Sequence, residues 1–317
     1  MSSRVVVIPN RSGRKLWGIL DAPPGAAGIP VATVLLSPGL KTRVGPHRLY
    51  RKLAPAFLTR GMPVLRLDLE GFGDSEGEPG TERVEEIYRA VALGRHVADV
   101  VCALDWLENS LGMRRVIVGG LCGAAITGLH AAVRDRRIAA LYAIGFPVIL
   151  HSVQSTPSRG ELHSKREIYL RKLFAPAAWL RLVSLKTDFA LMLRVLRGLS
   201  APSGADTHPD LNPDVATGLA ALHAEGRPAL LIFGERDRLR FDYEEKFARL
   251  HAATLASYGR QLEVAIVPQT NHVLGDPAAV AEALRVTGAW LDSQFVAITA
   301  AGPAPPWLGA RPYSATA

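Results

Sequence analysis

The chain has 317 residues, 48% of them hydrophobic, and a formal net charge of +8. It is long enough for one large α/β domain with an insertion, or for two ordinary domains, and too apolar to be disordered. Its Lys and Arg residues are scattered rather than clustered, which argues against nucleic-acid binding.

The first thirty residues read as a hairpin: "RVVVIPN" and "KLWGILDAP" joined by the turn signal Asn10-Arg11-Ser12-Gly13. "VATVLLSPG" (31–39) is a short apolar strand ending in Pro-Gly, and "GPHRLYRKLAPAFLTRG" is a helix stopped by Gly61. "MPVLRLDLEGFGDSEG" (62–77) is a strand running into a Gly/Asp-rich loop. Residues 82–110 have the spacing of one amphipathic helix. "RRVIVGG" is a strand, "CGAAITGLHAAVRD" a helix and "RIAALYAIGFPVIL" a strand. The alternation then breaks over about 148–215, a basic and apolar stretch with helical segments. It resumes with "PALLIFGERD" as a strand, "FDYEEKFARLHAATLA" as a helix, "QLEVAIVPQTNH" as a strand and "DPAAVAEALRVTGAWLDSQF" as a final helix.

Short apolar strands alternating with helices predict a mostly parallel sheet covered on both faces. The expected organisation is a core in two parts, 1–147 and 216–297, a helical lid over 148–215, and a Pro/Gly-rich tail over 298–317. No apolar signal core and no long uncharged apolar run are seen, so no membrane insertion is expected. The two cysteines, Cys102 and Cys122, do not suggest a disulfide framework. The expected location is the cytoplasm. No cluster of His, Cys and carboxylate has metal-ligand spacing, so neither a metal nor a cofactor is expected. The loop "EGFGDSEG" lacks the Lys-Ser/Thr of a phosphate-binding loop. The oligomeric state is not legible.

The stretch "VIVGGLCGAA" carries the chemistry. Gly120-Leu121-Cys122-Gly123-Ala124 has the form small-x-nucleophile-x-small between a strand and a helix. So sharp a turn needs small residues two positions either side of its apex. It holds Cys122 in a strained conformation at a helix N-terminus, where the dipole favours negative charge. The N–H of Gly123 would then point at an oxyanion formed on an attacked carbonyl.

This corner resembles the nucleophile elbow of the α/β-hydrolase superfamily, with Cys in place of the usual Ser and Ala124 at the last small position. The resemblance implies an eight-stranded, mostly parallel sheet flanked by helices, with the lid inserted after the sixth strand. Pro38-Gly39-Leu40 is similar to the family's oxyanion turn, which makes the N–H of Leu40 the second donor. Asp68 to Gly77 resembles its Asp-x-x-Gly-x-Gly-x-Ser loop. In the family's order of nucleophile, acid and base, Asp237 after "LLIFGER" is the acid, with Glu235 and Asp242 as rivals, and His272 in "VPQTNHVL" is the base. A narrower similarity, to cysteine-type hydrolases associated with bacterial exosortase systems, rests on Arg43-Val44-Gly45-Pro46-His47-Arg48 and on Arg166 to Trp179. Because this segment opens directly from the oxyanion turn, His47 is a candidate substrate or oxyanion contact, with a helix N-terminal residue beside Pro46 as the plainer alternative, and Arg43 is a candidate contact for an anionic substrate group. For Arg43 the plainer alternative is a solvated loop charge.

The expected function is cleavage of a small-molecule carboxylic ester or thioester through an acyl-cysteine on Cys122, His272 and Asp237. Acyl transfer from the same intermediate and dienelactone-type ring opening are alternatives. So is a non-catalytic binding scaffold on the same fold.

Overall fold

The computed structural model describes residues 2–23, 30–80, 83–150 and 210–295. Eight strands run through them: β1 Ser2–Pro9, β2 Lys15–Ala22, β3 Ala32–Leu36, β4 Val64–Leu67, β5 Val116–Leu121, β6 Ile138–Ile144, β7 Ala229–Gly234 and β8 Leu262–Val267. They form one sheet in the order β1-β2-β4-β3-β5-β6-β7-β8. The hairpin β1–β2 joins β4 antiparallel, and every later pairing is parallel. The helices are α1 Leu49–Leu58, α2 Val84–Ala92, α3 Val97–Leu111, α4 Gly123–Arg134, α5 Pro213–Ala224, α6 Arg238–Asp242, α7 Ala252–Ser257 and α8 Pro277–Phe295. This is the mostly parallel sheet expected from the alternation of elements, in the eight-stranded α/β-hydrolase form that the resemblance implies.

Central strands of such a sheet are buried on both faces, which is why they are apolar throughout rather than alternating. Val34, Leu36, Val116 and Val118 face one core with residues of α3, α4 and α5. Leu35, Val64, Ile117, Tyr142 and Ile232 face the other, with residues of α1 and α8. In that second layer Trp290 is fully buried beside Tyr142, whose hydroxyl meets Thr287 Oγ1 at 3.0 Å.

Four expectations change in detail. The helix expected over 82–110 is two, α2 and α3, because Gly94 takes a left-handed φ of 84° and reverses the chain. The helix expected from Phe241 is divided into α6, a π-helical turn over Tyr243–Ala248, and α7. The strand expected to reach Leu150 stops at Ile144, where Gly145 turns out of the sheet with φ 55°. The boundary at 215 falls inside α5, which starts at Pro213 behind the cap residue Asn212. α5 packs on α4 closely enough that a Cβ on Gly218 would lie 2.9 Å from Leu129.

Ile149 and Leu211 form an antiparallel bridge. Around it, Leu150 N donates to Asp210 O at 2.8 Å and Asn212 N to Val148 O at 2.9 Å. The chain therefore leaves β6 and returns to α5 at one place. Residues 151–209, the main part of the expected lid, and the expected tail lie outside the described residues.

Candidate active site

β5 runs into α4 through Cys122, whose backbone sits at φ 56°, ψ −112°. A β-carbon is crowded in that region, and such a residue costs about 1–3 kcal/mol unless its surroundings fix it. They do so here. The amide of Cys122 donates to Ile144 O at 2.8 Å, and its carbonyl accepts from Ala125 N at 2.9 Å. The preceding amide, of Leu121, donates to the Tyr50 hydroxyl at 2.7 Å. Tyr50 comes from α1 and is fully buried. A Cβ on Gly120 would lie 2.2 Å from that hydroxyl and 3.0 Å from Ala124 Cβ. The small residues at 120 and 124 thus face each other across the turn, as the sequence pattern requires. Tyr50 was not foreseen; no local pattern marks a contact 71 residues away.

Asp237 lies just past β7 and is 2% exposed. Its Oδ1 accepts from Leu239 N at 2.9 Å, which caps α6, and its Oδ2 meets His272 Nδ1 at 2.9 Å. The rivals are engaged elsewhere. Glu235 accepts from Gln269 N at 2.6 Å, and Asp242 pairs with Lys246 Nζ at 2.9 Å.

The His272 ring also lies near enough to the Cys122 side chain to be affected by its hydrogen bonding and its charge. Burial lowers the pKa of this imidazole. Its bonds to Asp237 and Cys122, and their negative charges, outweigh burial and raise it to about 10. The three residues singled out in the sequence are therefore in one place, in the order Cys122–His272–Asp237. Gly145, at the end of β6, makes room for them: a Cβ there would lie 2.5 Å from His272 Cε1 and 3.0 Å from Asp237 Oδ2. A glycine closing an apolar strand before Phe-Pro is the signal that could have found it.

The turn Pro38-Gly39-Leu40 abuts the elbow. A Cβ on Gly123 would lie 3.3 Å from Gly39 N. Neither the Leu40 nor the Gly123 amide donates to another described residue. His47 is exposed, and its ring lies 3.4 Å from where a Cβ on Gly275 would be, on the loop that follows His272. It sits at the rim.

Arg43 has other partners than a substrate. Its guanidinium pairs with fully buried Asp68 and, at 2.7 Å, with Asp74, while its amide donates to Asp68 Oδ1 at 2.5 Å. With a side chain 13% exposed it is not a solvated loop charge, and it ties the loop after Pro38-Gly39-Leu40 to the Gly/Asp-rich loop. Burial raises the Asp68 pKa above the usual range even beside this cation.

Among the described residues no group of three or more His, Cys, Asp or Glu could hold a metal ion, and no helix is long and apolar enough to cross a membrane.

The fold and this corner define an α/β hydrolase. The chain belongs to the alpha/beta hydrolase family, whose model matches residues 26–283. Solved structures are similar over nearly the whole chain. An esterase of Pyrococcus furiosus, Pf2001, is 15% identical, with 93% of each chain covered and a TM-score of 0.57. XC6422 of Xanthomonas campestris, described as an a/b serine hydrolase without lid, is 14% identical, with 96% of this chain and 98% of that one covered and a TM-score of 0.52. The α/β hydrolase GrgF of a Penicillium species is 17% identical, with 93% and 100% covered and a TM-score of 0.53. A comparison with curated proteins gives no match.

Proposed function

We propose that this hydrolase cleaves a small-molecule carboxylic ester or thioester through an acyl-cysteine on Cys122. The observation that carries the reading is one contact chain: Asp237 Oδ2 holds His272 Nδ1 at 2.9 Å, and the ring reaches Cys122 at the strained elbow.

His272 takes the thiol proton of Cys122 or pairs with its thiolate, and in either case holds the proton as the sulfur attacks. The Cys122 sulfur attacks the carbonyl carbon. The carbonyl electron pair moves to its oxygen, which the amides of Leu40 and Gly123 receive. The tetrahedral species collapses, the C–O or C–S bond to the leaving group breaks, and His272 gives that group its proton. The neutral ring then takes a proton from water as the water attacks the thioester. Collapse releases the acid and returns Cys122 and His272 to their starting state. An amine is a poorer leaving group than a thiolate, so amides are poor substrates. The two free cysteines fit a reducing compartment, which supports a cytoplasmic location.

The test is alkylation by iodoacetamide at neutral pH. Fast modification of Cys122 that is lost in His272→Ala is the expected result. Slow labelling indifferent to His272 would leave a binding scaffold. Acyl transfer is distinguished by whether turnover of a p-nitrophenyl ester rises when an amine or alcohol acceptor is added.

A further inference from the structure

Helix α2 lies over the junction of the oxyanion turn and the elbow. Tyr88 and Val91, one turn apart on the same helix, touch the two sides of that junction. Tyr88 Cε1 is 3.1 Å from where a Cβ on Gly39 would be, and Val91 Cγ1 is 3.0 Å from the Cβ position of Gly123. Glycine at both places lets the helix come this close. The phenol of Tyr88 is raised in pKa by burial and by the charge of Cys122.

The helix is also fastened in place. The carbonyl of Ala92, its last residue, accepts from His130 Nε2 and from Asn212 Nδ2, both at 2.9 Å. Ile87 and Val91 are buried in the core cluster. A substrate that crowded α2 would have to break these contacts to push it back.

We propose that Tyr88 and Val91 form a fixed wall on the oxyanion side of the site and limit the bulk that can reach Cys122 there. The substrates this wall fits are acyl groups that are linear next to the carbonyl; branching at that carbon meets Tyr88 or Val91. The inference rests on the reading of Cys122 as the nucleophile, and its test separates the two.

The experiment compares alkylation of Cys122 by iodoacetamide and by its bulkier N-benzyl derivative in wild type, Y88A, Y88F, V91A and H272A. Removing wall atoms in Y88A or V91A raises the ratio of bulky to small reagent about tenfold, the scale of a methylene or more in a tight apolar pocket. Y88F, which keeps the ring, holds the wild-type ratio. The same variants shift kcat/KM from p-nitrophenyl butyrate toward its branched isomer, the isobutyrate. An unchanged alkylation ratio in both Y88A and V91A overturns the wall. A rate with iodoacetamide that H272A leaves unaltered overturns the catalytic reading instead, and the size ratio still reports on the wall. V91A removes only two methyl groups, so it serves if Y88A fails to fold.

Discussion

Gly145 and His272 occupy adjoining space: the hydrogen of one stands where a methyl group would be 2.5 Å from Cε1 of the other. The His272 imidazole is therefore located from below by the absence of a side chain at the end of β6, as well as from the side by Asp237. Gly145→Ala should displace the ring from Cys122 and cost about a hundredfold in kcat, the scale of a misplacement of about 1 Å. Because φ at this position is 55°, the variant also loses some stability. Steady-state kinetics beside a urea titration checks both, and wild-type kcat in Gly145→Ala would mean the ring has slack.

The hydroxyl of Tyr50 can be removed without removing its ring. In Tyr50→Phe the amide of Leu121 loses its 2.7 Å acceptor in a fully buried place. The expected loss of stability is about 1–3 kcal/mol. The elbow also loses part of what fixes Cys122, so alkylation of the thiol slows while thermal unfolding stays cooperative. A stability change without an effect on labelling would confine Tyr50 to packing.

Arg43→Ala separates a tether from a substrate contact. As a tether, its loss leaves Asp68 buried without its cation and destabilises the protein by about 3–5 kcal/mol. Asp68→Asn in the same chain recovers part of that loss. As a substrate contact, the change would instead raise KM and leave the urea midpoint where it was.

The raised His272 pKa gives a pH dependence with a defined sign. The folded value, about 10, is above the ordinary 6.5, so folding favours the protonated ring. Its contribution to stability is complete below pH 6.5 and is lost as pH rises through about 10. The difference in urea midpoint between wild type and His272→Asn should shrink over that window. The leaving group also needs the imidazolium proton, so kcat/KM falls on the same alkaline limb. Cys122→Ala removes one hydrogen-bonding partner and one negative charge, and it moves the His272 titration, followed by NMR, to lower pH.

Much of this arrangement was legible because sterics wrote it locally. A strand-to-helix turn around a nucleophile tolerates little besides Gly120 and Ala124. Asp237 and His272 each follow an apolar strand, where a parallel sheet presents side chains to a ligand. The hairpin, the sheet and the final helix were readable from periodicity for the same reason. Long-range contacts were not. Nothing near Tyr50 says that its hydroxyl ends on Leu121, and nothing near Arg43 says that Asp68 is buried opposite it. The break at Gly94 was missed because α2 and α3 both keep helical spacing, and one glycine does not disturb a pattern of apolar residues. The π-helical turn after α6 leaves no periodic trace at all.

The bridge between Ile149 and Leu211 has a consequence for how this chain could vary. The two ends of the intervening segment are held side by side by Ile149 and Leu211, so joining them carries a closure entropy that the core around β6 and α5 offsets. That entropy grows with the logarithm of loop length, about 0.6 kcal/mol for each doubling. Relatives could lengthen, shorten or replace the segment at little thermodynamic cost while β6, α5 and the residues around Cys122 stay as they are.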